Sequence, residues 1–235
     1  MARDLLLRGM LAGLLAGFLA FAAASLFGEP DLERAIGFEA AMEHAAGHGA
    51  EDGPVSRATQ RGVGLLTACV AIGVALGGLL AVAFAFAWQR VGRISAPALA
   101  AWLAAIGFVA VALVPQLKYP ANPPAVGSDA TIGLRTALYF EMVLIAVGAL
   151  LLAVLLARAV AARREPWVAV LCGTAAFAAL VVLLQFALPG VDEVPDGFPA
   201  DVLWRFRFAS LGIQFVLWAG IGAIFGVLAR RSLRA

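Results

Sequence analysis

Six uninterrupted apolar stretches leave this chain few folds to choose from. They run from Leu5 to Phe27, Gly62 to Trp88, Ala96 to Pro115, Thr131 to Ala157, Pro166 to Leu188 and Trp204 to Leu228. A bilayer's hydrocarbon core is about 30 Å thick, and a helix rising about 1.5 Å per residue crosses it in roughly 20 residues. Each stretch is long enough. Composition agrees: 63% of the 235 residues are hydrophobic and 14% charged, where a soluble domain carries roughly 45–50% and about 25%. We therefore expect an all-α integral membrane protein. It is a bundle of about six transmembrane helices forming one domain over residues 1–235. The first stretch resembles a secretory signal only superficially. Its apolar part exceeds a signal core, and Gly28-Glu29-Pro30 follows in place of a small-residue cleavage pattern. We expect it to be retained as a span.

Charge sets the orientation, because Lys and Arg in short flanks favour the cytoplasmic side. With the N-terminus inside, the inner segments carry Arg3, Arg8, Arg90, Arg93, Arg158, Arg163, Arg164, Arg230, Arg231 and Arg234 against only Asp4 and Glu165. The outer segments receive Glu29, Asp31, Glu33, Glu39, Glu43, Glu51, Asp52, Asp129, Asp192, Glu193, Asp196 and Asp201, and both histidines. Such a face attracts cations. An even number of spans returns the C-terminus to the cytoplasm. The net charge of +2 argues against nucleic acid as a partner. Cys69 and Cys172 both lie in apolar runs, where a thiol is a packing residue.

Helices in lipid associate where small residues let their backbones approach. Gly9, Gly13 and Gly17 on the first span have this spacing, as do Gly73 and Gly77 on the second and Gly222 and Gly226 on the sixth. Pro115 and Pro189 are expected to end the third and fifth helices, each followed by a proline-rich outer segment.

No zinc-protease pair, nucleophile elbow or phosphate-binding loop occurs, so an enzyme is not expected and no residue is a catalytic candidate. Any active transport would draw on an ion gradient, the membrane potential or a partner. The first outer segment reads GEPDLERAIGFEAAMEHAAGHGAEDGP from Gly28. Proline suits the start of a helix and acids its positive end, so a short outer amphipathic helix is expected from Pro30 to about Ala46. On it Glu39 and Glu43 stand a turn apart, and His44 and His48 have the i, i+4 spacing of helical metal pairs. Carboxylate with imidazole suits divalent first-row metals. Adjacent Glu43 and His44, however, point about 100° apart. Glu141 lies inside the fourth span, where an uncompensated charge costs roughly 2.5–3.5 kcal/mol at mid-membrane. It should face a cavity or a partner, with Arg135, Arg205 and Arg207 as candidates. Gln185 and Gln214 are expected to bond between helices.

Three stretches together carry a resemblance: GEPDLERAIGFE, QLKYPANPPAVGSDATIGLRTALYF from Gln116, and LPGVDEVPDGFPADVLWRFRFASLGIQFVLWA from Leu188. The chain resembles the CbtA-type family of predicted cobalt transporters over nearly its whole length. That resemblance implies one component of a machine importing cobalt for cobalamin synthesis, working beside a small single-span membrane subunit with a His-rich end. It places Glu29, Glu39, Lys118, Tyr119, Asn122, Arg135, Glu193, Arg205, Arg207 and Gln214 in family-like positions. The candidate metal residues are thus Glu29, Glu39, Glu43, His44, His48, Glu141 and Glu193. The cargo is Co2+, with Ni2+ as the other candidate, and no permanently bound cofactor is expected. A homo-oligomer is a further possibility for the assembled state. The competing reading is a structural or assembly membrane protein whose acidic outer loops bind a partner protein.

Overall fold

The computed structural model describes residues 2–45, 47, 55–92 and 94–233, and among these there is helix and no strand. Six helical stretches are long and apolar enough to cross a membrane: Ala2–Ala45, Arg57–Ala87, Ala96–Lys118, Ile132–Ala161, Pro166–Ala187 and Ala200–Ser232. The chain is an all-α membrane protein.

The first three of these stretches run further than apolarity alone indicated. The first comprises α1 (Ala2–Ala23), a π-helical turn (Ala24–Gly28) and α2 (Glu29–Ala45). The expected outer helix is α2, joined to α1 without a break. The second is α4 (Leu65–Ala87), preceded by the short α3 (Arg57–Thr59) and a π turn at Gln60–Gly64, and it starts from a Ser56 cap on Thr59. The third comprises α5 (Ala96–Gly107), a π turn (Phe108–Leu113) and α6 (Val114–Lys118). Pro115 does not end it. Proline removes the N–H that would bond four residues back. At both Pro30 and Pro115 a wide π turn closes two residues before the proline, at Gly28 and at Leu113. The wider turn shifts the hydrogen-bond register there. Tyr139 Oη also lies 3.5 Å from the carbonyl of Val111, the group that Pro115 leaves without its usual donor. Pro189 does end its helix: α8 (Pro166–Ala187) stops at Leu188, whose backbone is extended, as a residue before proline prefers. The others are α7 (Ile132–Ala161) and α9 (Ala200–Ser232).

Two compact units divide the chain, one of residues 1–108, 121–126 and 195–235 and one of 109–120 and 127–194. In the first, α9 packs on both α1 and α5, and α1 packs on α4. The glycines decide these seams. Gly9 and Gly13 lie against the backbones of Gly77 and Gly73, and a Cβ on Gly17 would stand 2.8 Å from Val70 Cα. On α9, a Cβ at Gly226 would meet Pro97 Cα at 2.9 Å and one at Gly222 would meet Ala104 Cβ at 2.6 Å. Backbone-to-backbone approach maximises dispersion contact where lipid supplies no hydrophobic drive. Near the termini Phe84 meets Phe225 edge-on at 5.2 Å, and Arg8 donates to the carbonyl of Leu228 at 3.0 Å.

At the opposite end of this unit, Ala35 of α2 packs with Val126, Phe198, Val202 and Leu203. Phe38 meets Phe198 edge-on at 5.0 Å. An apolar nucleus therefore ties α2 to the start of α9 and to residues 121–126.

In the second unit α7 and α8 form an antiparallel pair, with Gly173 seated on Ala153 and Ala157. Val114, Tyr119, Leu138, Met142 and Ala146 form its buried core, flanked by Phe177, Val181 and Leu184.

Candidate metal-handling residues

Most of the acidic candidates already have partners, and those partners position loops. On α2, Glu29 pairs with Arg57 and Glu33 with Arg61 at 3.0 Å. The two rungs are four residues apart on both sides, so α2 is stitched to the start of the second span. Asp31, the buried acid between them, takes a hydrogen bond from Arg34 at 3.0 Å. Glu39 Oε1 accepts the backbone N–H of Ala125 at 3.1 Å. Ala125 has φ +64, a conformation that costs a non-glycine residue about 1–2 kcal/mol. The Glu39 bond and the apolar nucleus around Val126 hold it there. Asn122 Oδ1, beside it, accepts from Arg207 at 3.0 Å.

Glu193, in the second unit, gathers the segment that opens α7. It accepts from Ser128 N at 3.0 Å and from Thr131 Oγ1 at 2.8 Å, and Arg135 Nε lies 3.5 Å away. These two hydrogen bonds, with Arg135 adding attraction, hold its carboxyl below the usual glutamate range. Arg135 stacks its guanidinium onto Gly127, whose φ of +112 leaves room that a side chain would fill. Lys118 donates to the carbonyl of Gln185 at 2.6 Å and Tyr119 to that of Pro189 at 2.9 Å. Burial, then the charge of Glu141, pushes the Tyr119 hydroxyl up.

Three candidates have no such partner among the described residues. Glu43 and His44 are exposed on the last turn of α2. Glu141 is exposed on α7. The sequence pointed to Arg135, Arg205 or Arg207 as its counter-charge, and the described contacts join none of them to it: Arg135 lies on Glu193, Arg207 on Asn122, and Arg205 is exposed. His48 falls outside the described residues. The described residues hold no group of three or more His, Cys, Asp or Glu side chains placed to share a metal ion. Glu39 and Glu43 do lie a turn apart on α2, but Glu39 is turned to Ala125. The expected amide bonds between helices are not seen at Gln185, whose Nε2 is buried without a partner among the described residues.

The positioning roles of Arg57 and Arg61 were not read from the sequence. The signal that would have found them is the matched four-residue spacing of Glu29 with Glu33 and of Arg57 with Arg61.

Six apolar helices, with acids collected at the end of the first unit away from the two termini, define a multi-pass membrane protein. The family described as probable cobalt transporter subunit (CbtA) matches residues 2–230, and the chain belongs to that family. No curated protein and no solved structure matches it. Membership in a family of probable cobalt transporter subunits implies a partner and a metal cargo.

Proposed function

We propose that this chain is the multi-pass subunit of a divalent-cation importer in the inner, cytoplasmic membrane, with both termini cytoplasmic. Its cargo is Co2+ for cobalamin synthesis, with Ni2+ as competitor, and its partner is a small single-span subunit with a His-rich end. The observation that carries this reading is the family match over residues 2–230. The acidic outer segments fit it, since a negative face concentrates cations at the membrane.

The residues assigned to the ion are the ones with uncommitted donor atoms. Glu43 and His44, exposed at the tip of α2, exchange water ligands of the arriving ion, with His48 the next imidazole in the chain. Glu29 and Glu39 hold the helix that presents them, bonded to Arg57 and to Ala125 N. Glu141 then offers a carboxylate within the fourth span. Inward movement gains about 2.3 kcal/mol per charge per 100 mV of membrane potential, so no nucleotide is needed at this chain.

Radiolabelled cobalt accumulation tests this, in cells lacking other high-affinity cobalt uptake, with this chain alone, with the small partner, and with Glu141→Gln. Saturable uptake, competed by nickel and lowered at least several-fold by the variant, is the expected result. No uptake from well-inserted protein in either setting would replace it with the assembly reading, in which the acidic segments bind another protein.

A further inference from the structure

The first unit contains a cavity of about 710 Å³ between the junction of α1 with α2 and the first half of α9. That volume is within the roughly 300–1,000 Å³ of small-molecule sites. Its walls are apolar: Leu26 and Phe27 on one side, Phe208 and Phe215 on the other, each 59–69% exposed among the described residues. Its polar groups are Asp31, Arg34 and Arg205. They collect at one end, since the continuous α1–α2 stretch and α9 run antiparallel and, of the lining residues, these lie towards the end furthest from the chain termini. Asp31 is buried and already bonded to Arg34. Arg205 is exposed and has no hydrogen bond or ion pair among the described residues. The mouth therefore carries one net positive charge.

Depth identifies what such a mouth meets. On α9, Arg205 and Arg230 are about 25 residues apart, roughly 37 Å of helix, whereas the hydrocarbon is about 30 Å thick. With Arg230 at one headgroup layer, Arg205 reaches the other. From Arg205 to Val216 the cavity follows α9 for roughly 16 Å into the acyl region. Trp204 stands at the headgroup level where indoles concentrate in membrane proteins.

We propose that this cavity binds one anionic phospholipid, its phosphate on Arg205 and Arg34 and an acyl chain lying between α1 and α9. Guanidinium groups take phosphate oxygens through paired N–H donors, and basic pockets between membrane helices recognise lipid headgroups in this way. A single net positive charge favours phosphatidylglycerol over zwitterionic phosphatidylcholine, whose own cation the arginines repel. The helix of another protein would fit the apolar walls but would leave Arg205 without its anion. This site is separate from the metal path and stands or falls independently of it.

The test uses the full chain in nonionic detergent, given equal amounts of phosphatidylglycerol and phosphatidylcholine and observed by native mass spectrometry. One phosphatidylglycerol is retained in preference. Arg205→Gln, at an exposed position with no bond to lose among the described residues, lowers that preference about fivefold, the effect of one arginine near a charged lipid surface. Gly212→Trp fills the cavity at a position where an added Cβ meets nothing within 4 Å, and abolishes retention while the protein stays folded. Equal retention of both lipids, an unchanged preference in Arg205→Gln, retention by Gly212→Trp, or displacement of the lipid by inorganic phosphate would each overturn the proposal.

Discussion

At the scale of single residues, a carboxylate on this chain does one of two jobs, and its hydrogen-bond partners say which. Glu29, Glu39 and Glu193 are held by Arg57, by Ala125 N and by Ser128 with Thr131, and each fastens a loop. Glu43 and Glu141 have no such partner among the described residues. The depressed carboxyl of Glu193 has a consequence for pH. A group whose folded pKa lies below its unfolded one, about 4.3 for glutamate, stabilises the fold above that value. The contribution disappears as pH falls through the lower, folded value. Replacing Glu193 with Gln retains an acceptor but not the charge. We expect its melting temperature in detergent to be lower than that of the parent at pH 7, and the gap to close as pH drops below the ordinary glutamate range. A gap that stayed constant down to acid pH would mean that the charge is not what fastens this loop. The residue types of these acids were plain in the sequence. Their partners lie as far as Glu39 from Ala125 or Glu193 from Ser128, and no local pattern pairs residues that distant.

Elements obey the membrane's rules where apolar length is concerned and depart from them where proline enters. Spacing alone identified Gly9, Gly13, Gly17, Gly73 and Gly77 as a seam, and α1 and α4 meet there with backbone against backbone. Gly13→Leu should force those helices apart. Overpacking a close seam costs typically about 1–3 kcal/mol, so the apparent melting temperature should fall by several degrees. Gly148→Leu on α7, where nothing lies within 4 Å of an added Cβ, should leave it within error, and a similar loss in both variants would show that any bulkier residue in a span is harmful. Pro115 was the place where local reasoning failed, whereas Pro30 stands in the first turn of the outer helix as its sequence position indicated. A proline removes one N–H, and sequence cannot say whether the helix ends there or widens. At Pro189 it ends in extended chain, while at Pro30 and Pro115 a π turn carries it on. The widened helices continue beside packed neighbours: α2 finds the nucleus of Phe198, Val202 and Leu203, and α6 finds Tyr119, Leu138 and Met142.

For the whole molecule, the proposed orientation puts the long α2 and its acids outside the cell. Cys69 and Cys172 are its only cysteines, so with both replaced a single new thiol reports sidedness. Ala45→Cys, exposed at the end of α2, should react with a membrane-impermeant maleimide added to intact cells. Ser232→Cys, at the end of α9, should react only after lysis. Labelling of the reverse pattern would put the acidic segments in the cytoplasm and remove them from cation capture. Six spans, their helical nature and which of their ends carry arginine were determined by the sequence alone, because lipid imposes length and charge rules that each segment satisfies independently of the rest. Only the tertiary structure decided which acids are bonded to other parts of the chain and where an apolar cavity opens beside Arg205. That bonding depends on partners brought from distant positions, such as Arg57 to Glu29 and Ser128 to Glu193. A cavity is the space that packed helices leave between them, and no residue encodes it by itself.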